Sequence, residues 1–220
     1  MIFLSYILSV ETPTYGNRNK FEISKKSDMS KGDVANDSQI STTVHIGTHI
    51  DMPFHFYENG QIIEDFSADF WLFKNPLIVE IEPKNLIIKD ELIARLENIE
   101  DNSYDILILK SGICNIRGRD EFWKNNYGFH PDIYDYLTSK FPNIRVFGFD
   151  SISVSSFQER LLGREAHRRF LNPDKPILLL EDMDLRNIDE KSKIDRILVS
   201  PLRISACDGI PCTVFGITDD

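Results

Sequence analysis

The chain has 220 residues, of which 41% are apolar and 27% charged, so its composition is that of an ordinary globular protein. This length predicts one domain over residues 1–220, in which residues 1–39 form an N-terminal arm. The formal net charge of −10 disfavours nucleic acid and anionic membrane surfaces as partners. Three cysteines without a C-x-x-C pair indicate reduced thiols and predict a cytoplasmic protein.

Apolar runs separated by amphipathic segments predict strands that alternate with helices. The apolar N-terminus is too short to span a bilayer and is predicted as a first strand, followed by a loop or loose hairpin arm over residues 17–39. The other predicted strands cover residues 41–50, 76–81, 105–109, 144–149, 176–180, 197–204 and 213–217. The predicted helices cover residues 90–97, with Asp90 as the N-cap, and residues 120–125, 132–140 and 157–171. This order predicts an α/β domain with a mixed central sheet and flanking helices.

The stretch VHIGTHIDMPFHF, residues 44–56, holds three of the five histidines and an aspartate, all at odd positions. The even positions are largely β-branched, so a strand would place the ligand-type side chains His45, His49, Asp51 and His55 on one face. Imidazole and carboxylate groups at close spacing suit a first-row divalent metal. A straight strand would separate the first two histidines too far for one ion, so we expect a bend at Gly47. The stretch is interpreted as a strand end that curls around a metal; the alternative is a set of core or surface histidines that bind nothing.

Two further residues are candidates because of where they fall in predicted elements. His167 lies in the last turn of the helix over 157–171, and Glu181 directly follows a buried strand. The carboxyl end of a buried strand is where α/β proteins place functional groups. Each residue also has a simple structural explanation, since a histidine there favours the helix dipole and a glutamate can terminate a strand in solvent. Together with the histidine-rich stretch, they predict a shared site.

At these residues the chain resembles a known family, the cyclase or kynurenine-formamidase-like metal-dependent hydrolases. Residues 45–56 match the complete family signature H-x-G-T-H-x-D-x-P-x-H-F. Weaker similarity extends over most of the chain. It includes Leu4-Ser5, Thr12-Pro13, Asp150 with Ser153, the strand that ends at Glu181, and the pattern Asp208-Gly209-x-Pro211.

The resemblance implies a site with one or two divalent ions, zinc or manganese. It implies that His45 and His49 bind the first ion, that His167 binds the second, and that Asp51 and Glu181 bridge the pair. It also implies a swivelling β/β/α-type domain, assembled as a homodimer or homotetramer with the N-terminal arm at the interface.

The resemblance further implies that His55 is the proton donor and acceptor rather than a ligand. Tyr15 takes the place at which formamidases carry a substrate-stacking tryptophan, so it is a candidate substrate-binding residue. Ser155 stands where the family often has an acid, and these two departures leave the small-molecule substrate open.

The predicted function is hydrolysis of a carbon–nitrogen bond in a formamide or cyclic amide, by metal-activated water with a histidine proton shuttle. Ring-opening of a lactone or imide, or a cyclase reaction, would use the same site. A homologue that binds metal without catalysis, and a metal-free structural domain, are the alternatives from other classes.

Overall fold

A mixed β-sheet organises the molecule. The structure is a computed structural model that describes residues 1–218, and within that range it has thirteen strands and four α-helices. The strands are β1 Ile2–Phe3, β2 Glu22–Ser27, β3 Asp37–Ser41, β4 His49–Asp51, β5 Leu72–Phe73, β6 Pro76–Glu80, β7 Ile87–Ile88, β8 Ile106–Lys110, β9 Gly128–Phe129, β10 Val146–Phe149, β11 Leu178–Glu181, β12 Arg196–Pro201 and β13 Gly209–Ile217. The helices are α1 Asp90–Glu97, α2 Asp120–Lys124, α3 Asp132–Lys140 and α4 Arg160–Phe170.

The large sheet has the strand order β5-β12-β13-β4-β11-β10-β8-β6, and β1 adds to β13. Strands β6, β8, β10 and β11 run parallel to one another. Strand β4 pairs antiparallel with both β11 and β13. The short strand β4 therefore lies where the parallel half of the sheet meets the antiparallel half.

The core forms around the parallel strands. Every residue of β8, β10 and β11 is buried, as expected for strands covered on both faces. Helices contribute one apolar face each; Leu92 and Leu96 of α1 are fully buried, and Ala166 and Phe170 of α4 are buried beside the sheet. The longest described helix, α4, has 11 residues, and no helix within residues 1–218 is long and apolar enough to cross a membrane.

The α/β class with a mixed central sheet is confirmed, as are the bounds of α1 and α3. The hairpin of β2 and β3 confirms the hairpin arm. The assignment as a swivelling β/β/α type remains a prediction, as do the single domain over 1–220 and the interfacial role of residues 1–39.

The predicted strand over residues 41–50 is wrong. Strand β3 ends at Ser41 and β4 begins at His49, with irregular backbone between them. Gly47 has φ +56°, so the bend expected there is present and the ladder is interrupted. The hydroxyl of Thr48 accepts a hydrogen bond from the Tyr6 amide at 3.1 Å and donates one to the Asp182 carbonyl at 2.6 Å. These side-chain bonds hold the segment in place of strand pairing.

Other element ends also differ from the predictions. Lys89, not Asp90, is the N-cap of α1, and no side chain caps it; the Asp90 carboxylate instead lies in the first turn, where the dipole favours it. Helix α4 begins at Arg160 rather than at residue 157. The backbone before Arg160 forms hydrogen bonds outside the helix, since the Phe157 amide donates to the Asn126 side chain at 3.1 Å. Strand β12 ends at Pro201, three residues before the predicted end at 204. Strand β13 begins at Gly209, four residues before the start at 213 that the apolar pattern predicted.

Candidate metal centre

Strands β4 and β11 bring three of the candidate side chains to one face of the sheet. His49 and Asp51 are two residues apart on β4 and so point the same way, while Ile50 between them is fully buried on the other face. In the antiparallel register, Glu181 lies directly opposite His49. Cross-strand partners project to the same face, so sheet pairing alone places an imidazole between two carboxylates.

Short irregular segments on either side of β4 position the other two histidines of the motif. His45 precedes the bend at Gly47, and its ring lies against Gly209, where an added Cβ would come within 2.4 Å of His45 Cε1. His55 ends a 3-10 turn, Pro53–His55, that proline starts directly after the strand. The turn folds His55 back, so that its ring centroid is 4.1 Å from that of His45.

Helix α4 supplies His167. Its Nδ1 donates to the Gly163 carbonyl at 2.8 Å, so Nε2 is directed at the cluster, 3.6 Å from Asp51 Oδ2 and 3.9 Å from Glu181 Oε1. The helix approaches closely because residue 163 is glycine; an added Cβ would lie 2.0 Å from Ser155 Oγ. His167 and Glu181, predicted from different elements, thus meet the motif residues at one place.

The turn after β10 fixes the Glu181 carboxylate. The Val154 amide donates to Glu181 Oε1 at 2.7 Å, and the Ser153 hydroxyl lies 3.5 Å from the same oxygen. Asp150 holds the start of this turn, since its carboxylate accepts bonds from the Ser111 and Gly112 amides at 2.9 Å each. The second Glu181 oxygen is left to face His49, whose Nε2 is 3.4 Å away.

The candidate ligand atoms form two groups that share Asp51. His45, Asp51 and His55 form one group, and His49, Asp51 and Glu181 form the other; within each group, one donor atom per residue lies within 4.8 Å of the others. His45 Nδ1 is 2.8 Å from Asp51 Oδ1, and His49 Nε2 is 3.4 Å from the same oxygen. His45 and His49, which the resemblance assigns to one ion, therefore belong to neighbouring groups.

The donor set fits a divalent metal. The Gly47 carbonyl accepts from His49 Nδ1 at 2.8 Å, which leaves Nε2 as the lone-pair nitrogen of the neutral ring. That Nε2 and Asp51 Oδ2 are buried and have no hydrogen-bond partner among the described residues. An unsatisfied buried polar atom costs about 1–3 kcal/mol, and a cation between these atoms would satisfy both. Nitrogen and oxygen ligands of this kind suit a first-row divalent ion.

Electrostatics within the cluster are strong because the charges are buried together. Burial opposes ionisation of Asp51, but the positive charge of His45, the hydrogen bond from His45 and the nearby His49 imidazole hold the pKa of Asp51 well below the usual range. Burial likewise opposes protonation of His49, but in protein without metal the Asp51 and Glu181 carboxylates outweigh burial and raise the pKa of His49, so a cation would take the place of a proton on Nε2. Burial lowers the pKa of His167, which keeps its imidazole neutral and suited to ligation.

Asp208 belongs to the site, although the sequence analysis did not identify it as a site residue. Its Oδ2 accepts from His45 Nε2 and from His55 Nδ1, each at 2.9 Å. These two hydrogen bonds hold the pKa of Asp208 far below its ordinary value. Asp208 appears in the sequence only as part of the Asp208-Gly209-x-Pro211 pattern, 163 residues from His45, so no local spacing marks it as a partner.

The cluster opens on a cavity of about 410 Å³. Tyr15 lies in its wall, and its ring packs on Phe157 with centroids 4.3 Å apart. The cavity reaches down to His49, Asp51 and Glu181, so a small molecule could approach the ligand atoms from this side.

Comparisons with known proteins agree with the motif. The family model described as "Putative cyclase" matches residues 2–156. A kynurenine formamidase from Bacillus cereus (strain ATCC 10987 / NRS 248) is 29% identical over 178 residues, which are 80% of this chain and 77% of that protein. Isatin hydrolase A from Labrenzia aggregata superposes with a TM-score of 0.78 at 17% identity, covering 97% of this chain and 91% of that chain. A predicted metal-dependent hydrolase from Bacillus stearothermophilus gives a TM-score of 0.74 at 19% identity, covering 97% and 95%.

At such identities the structural matches show a common fold alone. The family match carries more, because it spans well over half of the chain and includes the whole histidine-rich stretch. The resemblance derived from the motif is therefore confirmed, and the chain belongs to the cyclase family, with kynurenine-formamidase-like relatives.

Proposed function

We propose that this chain is a metal-dependent hydrolase that cleaves the carbon–nitrogen bond of a formamide or cyclic amide. The observation that carries the proposal is a buried His/Asp/Glu cluster with two orphaned ligand atoms, His49 Nε2 and Asp51 Oδ2, at the bottom of a cavity. The name of a relative that is 29% identical, a kynurenine formamidase, supports hydrolysis as the reaction class.

The proposed ligands are those implied by the motif: His45, His49, Asp51, His167 and Glu181, for one or two zinc or manganese ions. When bound, a divalent ion supplies Lewis acidity and lowers the pKa of a water molecule to about 7. The neutral His167 and the Nε2 lone pair of His49 favour this role, and the carboxylates offset the charge.

His55 is the proposed proton shuttle. Its Nδ1–H donates to Asp208 at 2.9 Å, which orients the ring and leaves Nε2 as the basic nitrogen of the neutral imidazole. In hydrolysis of an amide, Nε2 takes a proton from the attacking water and returns it to the leaving nitrogen. Asp208 then stabilises the imidazolium that exists between the two transfers. Tyr15, in the cavity wall, is the proposed contact for the substrate.

The test combines metal analysis with a hydrolysis screen. Protein purified without chelator should contain stoichiometric zinc or manganese and should hydrolyse members of a panel of formamides, cyclic imides and lactones. Activity on lactones alone would favour the ring-opening alternative, and stoichiometric metal without any activity would favour a non-catalytic homologue. Protein without metal would end the hydrolase proposal.

The variant His55→Ala distinguishes between a proton shuttle and a metal ligand at this position. His55→Ala should keep its metal content near that of the wild type while kcat falls by about 10²–10⁴-fold, the usual contribution of a positioned acid–base group. His130→Ala is the matched control, because His130 lies at the start of α3, where its Nδ1 accepts from the Asp132 amide at 3.2 Å. Loss of metal together with activity in His55→Ala would identify His55 as a ligand, a role its place beside His45 and Asp51 also allows.

We further propose that the chain assembles as a homodimer or homotetramer through residues 1–39. This arm exposes apolar side chains that a monomer would leave in water, among them Ile7 at 91% and Val34 at 98% exposure. Light scattering should give a mass of two or four chains, and Val34→Glu should lower it; a monomeric wild type would refute the proposal.

A further inference from the structure

Three arginines line the cavity above the candidate metal centre. Arg18 follows the 3-10 turn that carries Tyr15, and Arg160 and Arg164 lie on α4. Arg160 and Arg164 are one helical turn apart, and His167 follows three residues later, so the three side chains share one face of α4. The helix face that supplies a candidate ligand therefore also carries two guanidinium groups into the cavity wall.

These guanidinium groups have no partner among residues 1–218. Within residues 1–218, the side chains of Arg18, Arg160 and Arg164 make no hydrogen bond or ion pair, although the chain has 35 acidic and 25 basic residues. Five other arginines pair with acids: Arg95 with Glu190, Arg117 with Asp182, Arg145 with Asp105, Arg169 with Asp135 and Arg186 with Asp184.

The three arginine side chains all influence one group in the cavity wall, the Tyr15 hydroxyl. Burial raises the pKa of the Tyr15 hydroxyl, and the positive charges of Arg160, Arg164 and Arg18 each oppose that rise. The three arginines, which line the same cavity as Tyr15, are therefore close enough to influence its hydroxyl. Glu181 acts on Tyr15 in the opposite sense, which places this positive region beside the carboxylates of the candidate metal centre.

We propose that Arg160 and Arg164, assisted by Arg18, form a carboxylate-binding subsite, and that the substrate is a small amide that carries a carboxylate beside the scissile bond. Arginine binds carboxylate through two parallel N–H donors, which supplies orientation as well as charge. Since the subsite shares a helix face with His167, a carboxylate held there fixes the amide over the ligand atoms. This proposal rests on the hydrolase function proposed above and adds the class of substrate to it.

The cavity limits what this anion can be. About 410 Å³ suits a small molecule and is too small for a folded partner. The net charge of −10 would repel an anion from the protein as a whole, so local positive charge is needed for it to enter. The ring pair of Tyr15 and Phe157 next to the arginines favours an aromatic ring between the carboxylate and the amide.

The experiment compares two substrates that differ in one charge. N-Formylanthranilate and its methyl ester have the same aryl formamide, and the ester lacks the carboxylate. The zinc- or manganese-loaded wild type should hydrolyse the acid with at least tenfold higher kcat/KM than the ester. Arg164→Gln and Arg160→Gln should each raise KM for the acid about tenfold, equivalent to about 1.4 kcal/mol, and should affect KM for the ester much less.

Arg168→Gln is the matched control, since Arg168 is an exposed residue of α4 whose side chain is outside the cavity lining. It should change neither substrate. Equal kcat/KM for acid and ester in the wild type, or equal losses on both substrates in Arg164→Gln, would overturn the subsite.

A binding measurement keeps this proposal separate from the hydrolase function. If the wild type hydrolyses no formamide, imide or lactone, the hydrolase proposal fails, and calorimetric titration with N-formylanthranilate then decides the subsite. Binding that Arg164→Gln weakens and Arg168→Gln does not would support it, and absence of binding to the wild type would overturn it.

Discussion

Removing one partner of the buried ion pair behind the candidate metal centre should cost the fold several kcal/mol. Asp182 follows Glu181 directly, and its side chain is fully buried. Arg117 binds it in a bidentate manner, with Nε 2.8 Å from Oδ1 and Nη2 2.6 Å from Oδ2. The Arg117 guanidinium also lies over the Tyr6 ring, 3.8 Å from its centroid. Arg117→Ala would leave the Asp182 carboxylate in the interior without a partner.

The expected loss follows from that isolation. Removing one member of a buried pair costs about 3–5 kcal/mol, which is a large part of the roughly 5–15 kcal/mol that stabilises a typical domain. Burial raises the pKa of Asp182, and without Arg117 the carboxyl would become neutral more readily, so the lower end of this range is expected. At about 2–4 °C per kcal/mol for a chain of this size, the melting temperature should fall by roughly 6–12 °C.

Urea unfolding of Arg117→Ala and Arg186→Ala provides the assay. Arg186 is the matched control because it also pairs with a carboxylate, Asp184 at 2.7 Å, and also lies near Tyr6, but its side chain is 51% exposed. Exposed pairs contribute about 0–1 kcal/mol, so Arg186→Ala should change the free energy of unfolding little. If both variants lose the same stability, burial does not determine the worth of the Arg117–Asp182 pair, and the reasoning is refuted.

Two further predictions concern the bend and the charges of the metal centre. Gly47→Ala should lower the free energy of unfolding by about 1–3 kcal/mol more than Gly32→Ala in urea titrations. Both glycines have positive φ, but a Cβ added at Gly47 would lie 2.4 Å from Leu8 Cδ2, whereas one added at Gly32 would meet nothing within 4 Å. Equal losses of stability in the two variants would contradict the prediction. In metal-stripped protein, burial opposes protonation of His45, yet Asp51 and Asp208 raise its pKa to about 9. Protonated His45 then stabilises the fold fully below about pH 6.5, and this stabilisation is lost as the pH rises through 9. Over that interval the free energy of unfolding of the wild type should fall more than that of His45→Gln, and parallel pH profiles of the two proteins would contradict this.

Local pattern was sufficient for the elements whose boundaries depend on nearby residues. The helices α1 and α3 have the predicted bounds, since their apolar period and flanking residues are local properties. The buried strands β8, β10 and β11 were predicted to within two residues from their apolar runs. The histidine-rich stretch was recognisable for the same reason, because its ligand-type side chains lie within eleven residues.

Local pattern failed where side chains from distant segments compete with the backbone. Alternating β-branched residues predicted a strand over 41–50, but Thr48 bonds to Tyr6 and Asp182 instead and the strand begins only at His49. Asp208 was missed as a partner of His45 because nothing near either residue indicates that they meet.

The amino-acid sequence by itself determined the type of candidate site, because the imidazoles and carboxylates of a complete family signature are ligands that suit a divalent metal. Only the tertiary structure decided how they are grouped. The antiparallel register of β4 and β11 sets Glu181 opposite His49, and the close approach of α4 at Gly163 brings in His167 together with Arg160 and Arg164. The register joins segments more than one hundred residues apart, and the helix approach depends on the fit of Gly163 against Ser155, so neither follows from the spacing within the motif.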